Sequence, residues 1–169
     1  TKWFRDNFGE LEKILQQRIG INAYEFLSKQ ASSIPAGSGG LIVLPYFSGE
    51  RTPYNDPLAR GVLMGLSTCH SRGSVYRALL EGTAYGYKQH FDLLTEYGFK
   101  VQKVVACGGG TKSELWTQIV SDVTGYDQEV PKAPLGSDIG SALLVAKGIG
   151  LYEDFSIIRK KLTESYDSN

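Results

Sequence analysis

The chain has 169 residues, 41% hydrophobic and 21% charged, enough for one ordinary globular domain with its own core. Eighteen basic and eighteen acidic residues cancel, so neither nucleic acid nor an anionic membrane is expected as the main partner. No apolar run approaches the roughly 18 residues of a bilayer span, and two cysteines, Cys69 and Cys107, make no disulfide framework, so a cytoplasmic location is expected.

In chain order, Trp3, Phe4, Phe8, Leu11, Ile14 and Leu15 recur at helical spacing, broken by Gly9. The opening lacks a signal peptide and an initiator Met, which points to a piece of a longer polypeptide. Asn22 caps the next helix, with Glu25 reaching back, and that helix runs to about Ala31. Pro35–Gly40 reads as a turn, and Leu41–Leu44 as a short buried strand. From about Ser48 to Arg60 a polar loop is expected, with Pro53 and Pro57 preventing regular structure. The longest helix follows, capped by Ser71 or Ser74 and ended by Gly98. Val101–Cys107 is a β-branched strand, and Gly108-Gly109-Gly110 a sharp turn. Thr111–Thr124 is a helix closed by Gly125, and Asp127–Val130 a second short strand. A loop over Pro131–Gly136, a helix over Asp138–Lys147 and a last helix near Phe155–Leu162 complete the chain. The alternation in the back half implies an α/β layer with parallel strands. Three strands are few for a self-sufficient sheet, so further strands are expected upstream.

The best candidate site is the glycine turn. Glycines without Cβ let a flat or anionic ligand approach the backbone. Thr111 and Glu114 match a capping box that would fix the following helix, whose N–H groups suit a phosphate or a base edge. It is not a P-loop, because Thr111 precedes Lys112 where that motif needs Gly. A dinucleotide fingerprint is partly met by Gly108, Gly110 and Ser113, with Glu129 as the ribose acid, and that alternative stays open. The loop with Glu50, Arg51, Asp56 and Arg60 is read as a self-packed surface loop with internal ion pairs. The stretch Pro134–Ala142, with Gly140, Ser141 and Ala142, is read as close helix packing. His70 and His90 have no metal-ligand spacing. Cys107 has no activating His. Glu81 falls on the apolar side of the long helix and is read as a buried, hydrogen-bonded acid that orients a loop.

The run Leu44-Pro45-Tyr46-Phe47-Ser48-Gly49-Glu50-Arg51-Thr52-Pro53, then Asp56-Pro57 and Ala59-Arg60-Gly61, resembles the central stretch of FGGY carbohydrate kinases. Gly61–Leu66 followed by Val75–Gly82 is similar to that family's C-terminal signature, with departures at Ser74 and Leu79. Cys107–Ser113 resembles its adenosine motif. The resemblance extends to about Asp154. It implies an α/β fold of the actin/hexokinase (ribonuclease H-like) kind, present here as one incomplete C-terminal nucleotide-binding lobe over residues 1–169, with mostly parallel strands flanked by helices. It implies transfer of the ATP γ-phosphoryl group to a sugar hydroxyl with Mg²⁺. Gly109 and Gly110 match positions whose backbone lies against adenine and ribose. Ser113 matches a position that carries a polar contact to the adenine. The catalytic base, the sugar site and the phosphate loops lie outside the matched region, so no catalytic or metal residue is expected in this chain, and alone it is expected to be inactive. The wording Gly49-Glu50-Arg51-Thr52-Pro53 looks most like pentulose kinases of the xylulokinase type, with gluconate kinases left open. A small-molecule sugar is the expected partner, and a homodimer is allowed. A non-catalytic interaction domain derived from a kinase lobe is the remaining alternative.

Overall fold

The computed structural model describes residues 1–131 and 137–156. It divides into two compact units, Thr1–Gln102 with Ser113–Tyr126, and Lys103–Lys112 with the chain from Asp127 on.

The first unit is built on helices. Helices α1 (Lys2–Phe8) and α2 (Glu10–Ile19) are separated at Gly9, where a Cβ would lie 2.7 Å from the Arg5 carbonyl oxygen. That contact explains why the junction between the two helices carries glycine. Helix α3 (Ala23–Ser32) starts on Asn22, whose side chain accepts from the Tyr24 N–H at 2.9 Å. Strands β1 (Ile42–Leu44) and β2 (Val62–Met64) pair antiparallel, with Ile42 opposite Met64 and Leu44 opposite Val62. Helix α4 (Arg72–Glu96) opens with both expected serines, Ser71 and Ser74, joined in a reciprocal capping box. Helix α5 (Glu114–Thr124) closes on Gly125, left-handed at φ 76° as expected.

The core joins α1, α3, β1, α4 and α5 through Phe4, Leu27, Val43, Tyr76, Leu79 and Ile119. A polar clamp holds the N-terminal helices to it. Glu12 is 1% exposed and accepts from Gln30 Nε2 at 3.1 Å and from Arg72, whose other terminal nitrogen donates to the Phe8 carbonyl at 3.1 Å. Two helix-borne side chains thus converge on one oxygen of a buried carboxylate, which offsets part of its desolvation, while the other oxygen, Oε2, is buried without a hydrogen-bond partner among the described residues.

The second unit holds β3 (Val104–Val105) and β4 (Gln128–Glu129), parallel as expected, with Ala106 N–H donating to the Glu129 carbonyl at 2.9 Å. Lys103 pairs with the Glu129 carboxylate. Helix α6 (Ser137–Gly148) follows. None of the described residues of this unit is buried.

Several sequence expectations are corrected. The Leu41–Leu44 strand is not buried throughout: Leu41 and Val43 are buried, whereas Ile42 and Leu44 are exposed, as pleating requires. The partner β2 was not expected, and it makes one of the two ladders among the described residues antiparallel. The Val101–Cys107 strand contracts to two residues. The expected Thr111–Thr124 helix divides into a 3-10 turn at Gly109–Lys112 and α5. Residues 132–136 of the expected Pro131–Gly136 loop, and all but Phe155 and Ser156 of the expected last helix, lie outside the described residues.

Candidate functional site

The glycine turn belongs to the second unit. Gly108 takes φ 92°, a left-handed conformation that side chains resist, and the 3-10 turn Gly109–Lys112 begins directly after it. Among the described residues, a Cβ built on Gly109 would meet nothing within 4 Å. None of the described residues therefore requires glycine at position 109, and they leave room for a ligand above this backbone. Gly110 lies inside the 3-10 turn.

The capping box expected from Thr111 and Glu114 does not form. The Thr111 hydroxyl turns back and donates to the Gly108 carbonyl at 2.8 Å, which tightens the 3-10 turn. The N-cap of α5 is Ser113, in the first unit, whose Oγ accepts from the Trp116 N–H at 3.3 Å. Ser113 Oγ also lies 3.2 Å from Ser28 Oγ on α3. Gly109 and Gly110 thus stand in one unit and Ser113 in the other. Sequence reasoning missed Ser28. It lies 85 residues away, and no local pattern joins it to the turn.

The polar loop is self-satisfied, as expected, although through backbone contacts rather than the expected ion pairs. Glu50 Oε2 accepts from the N–H groups of Tyr54 (2.8 Å) and Asn55 (3.0 Å), and Asp56 Oδ1 from those of Leu58 (2.8 Å) and Ala59 (3.2 Å). Arg60 donates to the carbonyls of Pro57 and Ala59. Within the first unit, this loop, β1 and α4 enclose an open cleft of about 620 Å³. Two of its lining side chains have partners: Gln89 donates to the Tyr54 hydroxyl at 2.6 Å, and His90 Nδ1 donates to the Gly86 carbonyl one helical turn back at 2.6 Å. Burial, then the nearby Glu50 charge, raises the Tyr46 phenol above its ordinary value, so it stays protonated.

Glu81 orients a loop, as expected. It is 4% exposed and accepts from Gly37 N–H (3.0 Å), from the Ser38 hydroxyl (2.8 Å) and from Arg77 Nε (2.8 Å). These bonds hold Ser38 at φ 51°, a left-handed conformation for a side-chain residue.

Both histidines have structural partners. His70 Nδ1 accepts from the Ser67 N–H at 3.0 Å, which leaves Nε2 to donate to the Gly39 carbonyl at 3.2 Å. Cys69 and Cys107 are free thiols. Glu129, the ribose acid of the dinucleotide alternative, is engaged by Lys103. Among the described residues no group of His, Cys, Asp and Glu could hold a metal ion, so no residue here is assigned to Mg²⁺. Among the described residues no helix is long and apolar enough to cross a membrane.

A profile of the FGGY family of carbohydrate kinases, C-terminal domain, matches residues 1–149. Gluconokinase of Bacillus subtilis (strain 168) is 34% identical over 166 residues, which are 98% of this chain and 32% of that protein. The crystal structure of xylulose kinase from Rhodospirillum rubrum is similar at TM-score 0.66 and 39% identity, over 83% of this chain and 28% of that one. Plasmodium falciparum glycerol kinase with ADP is similar at TM-score 0.68 and 26% identity, over 91% of this chain and 31% of that one. The chain therefore spans about a third of the length of the relatives it matches.

Proposed function

The chain belongs to the FGGY family of carbohydrate kinases, and on that premise we propose that it is a partial C-terminal nucleotide-binding lobe of an enzyme that transfers the γ-phosphoryl group of ATP to a sugar hydroxyl. The observation that carries the reading is the glycine turn, where no described residue would crowd a Cβ at Gly109. In this reading the backbone of Gly109 and Gly110 lies against the nucleoside, and the Ser113 hydroxyl makes a polar contact to the base. The exposed second unit is consistent with further strands of the lobe lying elsewhere in a longer polypeptide.

Phosphoryl transfer to a hydroxyl needs phosphate positioning, a divalent cation against the developing charge, and a carboxylate that takes the hydroxyl proton. Mg²⁺ would supply the charge neutralisation when bound with ATP. This chain's share is to hold the nucleoside. The carboxylate and the sugar-binding groups belong to the rest of the enzyme.

The proposed sugar is a ketopentose such as D-xylulose. Support comes from Gly49-Glu50-Arg51-Thr52-Pro53 and from the likeness to a xylulose kinase. Gluconate is the second reading, favoured by the gluconokinase likeness. The test is ADP release by the full-length enzyme with ATP, Mg²⁺ and D-xylulose, L-xylulose, D-ribulose, gluconate or glycerol. Turnover with one ketopentose above all others is expected. Preference for gluconate would replace the ketopentose assignment and keep the kinase. A folded protein that binds NADH and not ATP would return the dinucleotide alternative.

A further inference from the structure

The β1–β2 ladder has one edge closed and one edge open. A Cβ on Gly82 would lie 2.1 Å from the Val43 carbonyl oxygen, so that oxygen points at α4 and away from β2. In an antiparallel ladder the N–H and C=O of one residue point to the same side, and opposite residues alternate between pairs that bond each other and pairs that both turn outward. Val43 stands opposite Leu63, so the two form an outward-turned pair. Helix α4 covers the edge at Val43. On the other edge the Leu63 N–H and C=O point away from the sheet, and no turn or loop bond among the described residues takes them up.

The side chains add an apolar face to this edge. Ile42 is paired with Met64 and Leu44 with Val62, so these four share one face of the ladder. All four are exposed, Met64 most at 59%. From Gly61 to Ser71 the sequence has no acidic residue, no lysine and no arginine. Charge and proline, which commonly guard an edge strand, are absent from β2, and only its length of three residues limits further pairing.

We propose that the open edge of β2 is a dimer interface, where the strand pairs antiparallel with β2 of a second copy of the chain about a two-fold axis at Leu63. Charge selects this occupant. The edge offers nothing to a charged partner, and a two-fold contact sets each patch against itself, which is permitted only where like charges stay apart. With Leu63 opposite its own counterpart, Val62 falls opposite Met64, and Arg60 opposite Leu66. The two Arg60 residues are then six strand positions apart, about 20 Å at strand spacing, well beyond a screening length of about 8 Å. The Leu63 N–H and C=O bond their counterparts, and Val62 and Met64 meet in the close non-bonded register. The apolar face becomes continuous across four strands, a size at which a sheet is stable where a lone pair of strands is not. This inference does not depend on the nucleotide reading.

The test is the mass of the full-length enzyme by analytical ultracentrifugation over a concentration series, and a dimer is expected. Val62→Lys together with Met64→Lys puts charge on two exposed positions of the face. It is expected to weaken the dimer about tenfold or more, with the circular dichroism unchanged. Leu63→Cys brings a thiol beside its counterpart at a Cα separation of about 5.5 Å, which a disulfide spans. Mild oxidation is expected to link two copies there, identified by mass spectrometry of the joined peptides. Leu58→Cys, whose side chain is exposed but ten positions from its counterpart, is expected not to link. A dimer that survives the two lysines, or the lack of a cross-link at position 63, overturns the pairing. A monomeric full-length enzyme overturns it as well, and a lower Tm of the lysine variant in that monomer would show that another segment of the same polypeptide covers the edge.

Discussion

Glu81 shows how one side chain can hold a backbone that local preference disfavours. Its two oxygens accept from a loop N–H, a loop hydroxyl and the Arg77 guanidinium, all at or below 3.0 Å. Arg77 is itself 9% exposed, so removing the carboxylate leaves a buried cation unpaired. Glu81→Ala is expected to destabilise the enzyme by about 3–5 kcal/mol, read from the urea unfolding midpoint. Glu81→Gln, which retains the shape, is expected to cost less. Position 81 was legible in the sequence because an acid on the apolar side of a helix must find partners when buried. The cap of α5 was misread because two candidates lie two residues apart. Thr111 satisfied the box pattern with Glu114, but its hydroxyl turned back to Gly108 and left the helix N–H to Ser113. A capping pattern names residues able to cap; the turn geometry upstream decides which one does. Ser28 had no such signal, since its bond to Ser113 exists only after α3 and α5 pack.

At the scale of elements, α4 organises the first unit through what it lacks on one face. Gly82 stands where a Cβ would lie 2.1 Å from the Val43 carbonyl oxygen, so glycine lets α4 approach β1. One turn on, a Cβ at Gly86 would meet none of the described residues within 4 Å. The two glycines share a helix face yet predict opposite outcomes. Gly82→Ala is expected to cost about 1–3 kcal/mol by forcing helix and strand apart. Gly86→Ala is expected to gain up to about 1 kcal/mol from helix propensity. Thermal unfolding of both variants in the full-length enzyme checks the pair, and equal losses would contradict the packing described. The helices were legible because Val75, Leu79, Leu80 and Ala84 repeat at helical spacing and the caps are serines and glycines. Strand β2 was not. Its three residues are all exposed, so no alternation of polar and apolar marks it, and only pairing with β1 makes it a strand.

For the whole molecule, the two compact units differ in what they can bury. The first unites five elements around aromatic and aliphatic side chains, whereas the second buries none of its described residues and pairs its strands over two residues each. A ladder that short is weak by itself. The chain alone, 169 residues, is expected to show no sugar-dependent ADP release under conditions where the full-length enzyme turns over, since the proton-accepting carboxylate is assigned elsewhere. Turnover by the purified piece would place the base within it.

The claim that this chain supplies the nucleotide contact is tested most directly by Gly110→Val in the full-length enzyme. Apparent KM values for ATP and for the sugar are compared under otherwise saturating conditions. A valine in the glycine turn occupies space proposed for the nucleoside, so the ATP KM is expected to rise about tenfold or more while the sugar KM stays within about twofold. An equal rise in both, or a change confined to the sugar, would contradict the assignment.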